Sequence, residues 1–210
     1  MCRIFGNDAE SILFEYGRNH ENGCGMQVVW KIDEAVKKRT AFDIDVVIVI
    51  FDRNGEMIET VDPQLRDYHN AVRYLQDAHC SSGNAQEELE ICFDRIPENV
   101  DHMAAAAYIY DADYREQSFG MLDEILLTID TAGSGKTQRW LSMPPEKDAL
   151  CQGILLGSFT RCGETWRFRS DGRTLRHADR KQAVIAQIME TEGAGRKGIA
   201  GEEPQTVRTA

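Results

Sequence analysis

Phe42-Asp43-Ile44-Asp45-Val46-Val47-Ile48-Val49-Ile50-Phe51-Asp52 is the stretch on which the fold turns. From Val46 to Phe51 every side chain is apolar and most are β-branched, the composition of a strand buried on both faces. Side chains alternate along a strand, so Asp43 and Asp45 point to the same side at its entrance. Two carboxylates held that close repel each other. Solvent, a cationic side chain, or a hard metal ion such as calcium, which takes several oxygen ligands, can offset the repulsion. Spacing alone leaves these three open.

Working outward, Asp52-Arg53-Asn54-Gly55 places an Asn-Gly turn directly after the strand, which predicts a hairpin. Residues 26–32 alternate weakly. In 88–93, Leu89, Ile91 and Phe93 face one way while Glu88, Glu90 and Cys92 face the other. Residues 124–129 are apolar and run into the turn-rich segment 130–135, and 153–159 is a further strand. Thr165-Trp166-Arg167-Phe168-Arg169 alternates cleanly, aromatics against arginines. Short strands separated by turns predict an all-β fold, a β-sandwich of two sheets.

Three segments read differently. In 63–78, Leu65, Tyr68, Val72 and Leu75 recur at helical spacing behind Asp62-Pro63, which resembles a helix start. Four alanines at 104–107 favour helix, yet Tyr108-Ile109-Tyr110 continues them with strand formers. Residues 179–189 predict a short C-terminal helix, with Val184, Ile185, Ile188 and Met189 on one side. From 191 onward Gly, Ala, Glu and Pro dominate, so 191–210 is expected to be a disordered tail behind one domain at 1–190. There is no internal repeat.

The net charge of -11 argues against a general binder of nucleic acid or anionic membrane and is compatible with binding cations. No apolar run approaches the roughly 20 residues of a membrane span. The first eight residues lack the apolar core of a signal peptide, which makes the cytoplasm the default location and reduced thiols the expectation. Cys2, Cys24, Cys80, Cys92, Cys151 and Cys162 include no CxxC pair and match no zinc spacing. His20, His69, His79, His102 and His177 are scattered, and no Ser/His/Asp or Cys/His set can be assembled from spacing.

One motif points to an enzyme. Thr131-Ala132-Gly133-Ser134-Gly135-Lys136-Thr137 looks like the end of a phosphate-binding loop. That chemistry needs glycines whose N–H groups cradle phosphates, a lysine on the β/γ-phosphates, and a long helix behind. Asp130 stands where the first glycine belongs, and Pro144-Pro145 arrives too soon for the helix. A glycine-rich hairpin joining Ile129 to Trp140 is the simpler reading.

The middle and C-terminal segments carry a resemblance. Ile96-Pro97-Glu98-Asn99-Val100-Asp101, Tyr108-Ile109-Tyr110-Asp111-Ala112 and Gln117-Ser118-Phe119-Gly120 resemble the TerD family of tellurium-resistance and stress-response proteins. They match its "IP-x-x-V" turn, its strand ending in "DA", and its "Q-x-FG" motif. Upstream, Phe42-Asp43-Ile44-Asp45 with Asp52-Arg53-Asn54-Gly55 resembles the family's "FDLD … D-x-NG" opening. Downstream, residues 153–159, Arg161, Gly163-Glu164 and Trp166-Arg167-Phe168 resemble its "GELYR-x-GEWKF" hairpin. The ordered set spans residues 30–168.

The resemblance implies a β-sandwich that binds calcium (Ca2+) through clustered acidic side chains, without enzymatic activity. It also implies work alongside other proteins of a stress-response assembly. It matches Tyr68-His69-Asn70 to a "YN" element before a hairpin and His79 to a following histidine, which favours strand-turn-strand over helix in 63–78. The metal ligands it implies are Asp43, Asp45, Asn84, Glu87 and Glu88, with Asp111 as a further ligand or a turn former. The family's long "GDN … GDDE" loop is reduced here to Ser81-Ser82-Gly83-Asn84-Ala85-Gln86-Glu87-Glu88, without aspartate. Glu87 and Glu88 are neighbours and on a strand point oppositely, so one reduced calcium site and a retained fold without calcium stand as the two readings. A calcium-independent alternative uses the basic segment 161–181, with Arg161, Arg167, Arg169, Arg173, Arg176, Arg180 and Lys181, to meet an acidic partner. The bland reading is that these cations form a solvated face.

Overall fold

The apolar run becomes β3 (Ile44–Asp52), a strand inside a sheet and covered on both faces. The computed structural model describes residues 11–15, 23–32, 41–77, 85–131, 137–142 and 150–193. The other strands are β1 (Ser11–Glu15), β2 (Gly23–Ile32), β4 (Met57–Val61), β5 (Asp67–Tyr68), β6 (Val72–Gln76), β7 (Ala85–Cys92), β8 (Val100–Ile109), β9 (Leu122–Thr131), β10 (Thr137–Ser142), β11 (Gly153–Cys162), β12 (Thr165–Ser170) and β13 (Thr174–Leu175). Two short helices join them, α1 (Ala112–Arg115) and α2 (Lys181–Ile188).

The strands form two sheets. The first runs β1-β12-β11-β8-β3-β4, with β13 against β11, and the second runs β10-β9-β2-β7-β6-β5. Between them lies the main core, which takes Ile44, Val46, Ile48 and Ile50 from β3 and Leu89 and Ile91 from β7. A smaller cluster lies on the far side of the first sheet. There Val47, Val49 and Phe51 pack with Ala104, Val184 and Ile188 under α2.

Tertiary pairing overrides local propensity at the alanines. Residues 104–107 belong to β8, paired antiparallel with β3 on one side and β11 on the other. Their small side chains let α2 approach the sheet: Ala104 and Ala106 sit under the helix, while Ala105 and Ala107 face the main core. Residues 63–78 are not helical. Asp67 and Tyr68 pair with Arg73 and Val72 around a turn in which His69 and Asn70 both adopt left-handed φ (54° and 53°). Such a turn suits the twist of a hairpin, and Asn tolerates that conformation. The apparent helical period arose from Leu65 and Leu75, which are both exposed.

Two family-like motifs have visible structural work. Arg161 donates from Nε to the Val100 carbonyl (2.8 Å) and from Nη2 to the Pro97 carbonyl (2.9 Å), with its guanidinium 4.6 Å from the Trp166 ring centre. It therefore fastens the turn before β8. A β-bulge lies between Leu155 and Gly157, where an added Cβ would meet the Arg169 carbonyl at 2.4 Å. The phosphate-loop reading does not survive. Residues 132–136 lie outside those described, but Thr137 pairs with Asp130 and opens strand β10 where that reading needs a helix. At the other end, Met189–Gly193 extend α2 by one wide turn, so the chain is still ordered at 191–193, and residues 194–210 of the expected tail lie outside the described residues.

Candidate functional site

Where β3 begins, Asp45 and, just before the strand, Asp43 meet the end of β8 and α1, while Asp62 and Asp111 meet the start of α2. Asp45 and Tyr108 are cross-strand partners, and the Tyr108 hydroxyl donates to Asp45 Oδ2 at 2.9 Å. Burial first, then the charge of Asp45, pushes the Tyr108 phenol far up, so it stays a donor. Asp43 and Asp62 add to the same field. Asp43 lies 3.8 Å from the Arg115 guanidinium, and its carbonyl accepts the Tyr110 N–H at 2.8 Å.

Asp111 closes β8 in a left-handed turn (φ 54°), which Asp tolerates better than most residues. Its N–H donates to the Asp179 carbonyl (2.9 Å), and its carboxylate receives Arg180 at 2.7 Å. Asp62, only 1% exposed, sits just past β4. Its Oδ1 accepts the N–H groups of Gln64 (2.8 Å) and Leu65 (3.2 Å), and its Oδ2 receives Lys181 Nζ at 3.0 Å. The turn resembles a helix start because the capping chemistry is the same; the helix does not follow.

Glu87 and Glu88 part to opposite faces of β7. Glu88 lies outside, where Gln27 donates to it at 3.5 Å. Glu87 is fully buried between the sheets and accepts a hydrogen bond from the Tyr74 hydroxyl. The same hydroxyl accepts the Val46 N–H at 3.2 Å, a group on β3 just before that strand's register with β4 begins. Burial, then Glu87, drives the Tyr74 phenol upward, with a smaller push from Asp45.

Of the residues the resemblance implies for calcium, Asp43, Asp45 and Asp111 share the end of the first sheet with Asp62. Glu87 lies inside the sandwich, Glu88 lies on its outer surface, and Asn84 and His79 fall outside the described residues. Among the described residues, no three of His, Cys, Asp and Glu come together as a metal ion requires. As placed, the described acidic side chains alone do not make up a calcium shell, and Asn84 of the implied set lies outside them. Four residues that sequence reasoning left out as partners, Tyr108, Arg115, Arg180 and Lys181, hold the carboxylates instead. Only the apolar pattern of 179–189 hinted at what brings two of them here.

The basic segment is largely spent within the chain. Arg161 fastens the turn before β8, Arg173 pairs with Asp171 and Glu192 (both 2.8 Å), and Arg180 and Lys181 pair as above. Arg167 and Arg169 are exposed on β12. Cys24, Cys92, Cys151 and Cys162 are free thiols, and burial pushes the Cys24 thiol far up, away from reactivity. Cys2 and Cys80 lie outside the described residues.

Comparison with known proteins agrees with the architecture. The sequence pattern of the TerD domain matches residues 15–178. A tellurium resistance protein TerD of Alcaligenes sp is 26% identical over 151 residues, covering 70% of this chain and 77% of the relative. Its counterpart in Serratia marcescens is 25% identical over 137 residues, covering 63% and 71%. Among solved structures, a homologue of telluride resistance protein (TerD) from Streptomyces coelicolor A3(2) superposes with TM-score 0.60 at 16% identity, covering 73% of this chain and 90% of that one. A protein of unknown function gives TM-score 0.63 at 16% identity, covering 80% and 95%.

Proposed function

We propose, from the premise that this chain belongs to the TerD domain family, that it serves as a non-catalytic β-sandwich module in a cell's response to tellurium compounds or related stress. The observation that carries this reading is the span of the family match. Residues 15–178 run from the end of β1 past β13 and so include both sheets. The curated relatives are named for tellurium resistance and align over most of their own length. No span of α-helix among the described residues is long and apolar enough to cross a membrane.

In a strain lacking the chain, growth on graded potassium tellurite tests the proposal. Tolerance should fall, and the intact chain should restore it. Equal growth with and without the chain would overturn it. Calcium ligation, the finer property implied by the resemblance, finds little support in the described carboxylates, so the module is proposed to work without it. Other proteins of a stress-response assembly remain its proposed partners, in the cytoplasm.

A second reading follows from Arg167 and Arg169. They stay exposed, whereas Arg161, Arg173 and Arg180 are engaged by the chain. An acidic partner would meet them on β12. Replacing both with Glu should abolish salt-sensitive capture of that partner while leaving the melting temperature in place.

A further inference from the structure

The first turn of α2 runs against local preference. A helix N-terminus favours acidic side chains, and its dipole disfavours cations there. Arg180 is the N-cap and makes no capping hydrogen bond from its side chain, Lys181 opens the helix, and the first turn holds no acid. Something outside the helix must select two adjacent cations at this position. Both reach across the sheet end to carboxylates from other strands, Arg180 to Asp111 after β8 and Lys181 to Asp62 after β4. The Asp62 carboxylate is 2% exposed, so its charge must be balanced within the protein. With Arg115 3.8 Å from Asp43 and the Tyr108 hydroxyl at Asp45, each of the four carboxylates lies beside a cation or a hydroxyl of the protein.

We propose that α2 carries a built-in counterion for the acidic end of the first sheet: Arg180 and Lys181, with Arg115, balance Asp111, Asp62 and Asp43 in place of a divalent cation. The reading has a consequence for stability. The same contacts that neutralise the sheet end also dock the N-terminus of α2, whose apolar side, Val184 and Ile188, packs over β3 and β8. The docked helix and the neutral sheet end are one arrangement, which needs no dissolved ion. It concerns the chain's charge balance only and stands whether or not the tellurium reading does.

The test is thermal unfolding of the full chain in matched ionic strength, with EDTA, with magnesium and with millimolar calcium. The wild-type melting temperature should be the same in all three. Arg180→Gln/Lys181→Gln should melt lower by roughly 4–8 °C, and calcium should then raise it while EDTA does not. If the double variant does not fold, Arg180→Gln alone should show the same calcium response at smaller size, because that side chain is more than half exposed. A wild-type shift on adding calcium or EDTA would overturn the proposal. So would a folded variant whose melting temperature ignores calcium. The tellurite growth assay reads a different property, so the two proposals fail separately.

Discussion

The two faces of β3 meet different partners and tolerate different chemistry. The inner face, Ile44, Val46, Ile48 and Ile50, looks into a layer between two sheets whose strands fix its shape. The outer face begins with Asp43 and Asp45 and continues with Val47, Val49 and Phe51 under a helix of eight residues. On the outer side Asp43 meets Arg115 from α1 and Asp45 meets the Tyr108 hydroxyl. On the inner side the buried Glu87 of β7 accepts a hydrogen bond from the Tyr74 hydroxyl. A strand thus carries charge at the sheet end, where a helix or a hydroxyl meets it, and apolar bulk where two sheets close over it.

This contrast breaks first on the inner face. Ile48→Ala should cost about 3 kcal/mol, read from the denaturant midpoint, because neither sheet can collapse into the hole. Val49→Ala, one residue away under α2, should cost less than half as much, since a short helix can settle. Equal costs would mean that the helix is as rigid as the second sheet. Next is the buried end of the charge set. Asp62→Ala leaves Lys181 without its partner and two N–H groups uncapped, and should cost about 2 kcal/mol. Adding Lys181→Met should recover part of that loss in a double-mutant cycle. A strictly additive pair would show that the contact carries no coupling.

The tyrosines sharpen the comparison at smaller scale. Tyr74→Phe removes the acceptor of the Val46 N–H and the donor to buried Glu87, and should cost about 1–2 kcal/mol. Tyr108→Phe should cost less than 1 kcal/mol, because Asp45 is only half-buried and keeps access to water. Denaturant titration of both variants compares them; a larger loss at Tyr108 would reverse the ranking of the two faces.

The residues that decide the fold were readable because their signals are local. Val46 to Phe51 announced a strand by composition, Asn54-Gly55 announced its hairpin, and Val184 with Ile188 announced the helix over it. Local signals misled where pairing is made at a distance. The alanines at 104–107 became strand because β3 and β11 flank them, and Leu65 with Leu75 imitated a helical stripe although both face solvent. The site was half legible. Asp43 and Asp45 on one side of a strand posed the right problem, and a cationic side chain was among the answers. Which cation could not be read: Arg115 meets Asp43 from beyond β8, and Lys181 meets Asp62 from 119 residues away, with nothing near either acid to name its partner.

The smallest expected effect lies at the far end of the outer face, where the same logic runs in reverse and a buried cation-capable ring awaits an acid. His102 on β8 lies 2% exposed between Phe51 and Thr160, and its Nε2 is 3.2 Å from Glu192 in the wide turn after α2. Glu192 also receives Arg173 at 2.8 Å. His102 first, with Arg173 assisting against the cost of burial, holds the Glu192 carboxyl below its ordinary 4.5. A carboxyl with a lowered folded-state value binds protons more weakly folded than unfolded. Its contribution is therefore fully present above the ordinary glutamate range and drains away as pH falls through the lowered folded value. Wild type should melt higher than Glu192→Gln at about pH 6, and the gap should close toward about pH 3. Parallel melting curves across that range would mean that the wide turn after α2 rests on its apolar contacts alone. Charge would then matter chiefly at the other end of the first sheet, where Arg115, Arg180 and Lys181 meet Asp43, Asp111 and Asp62.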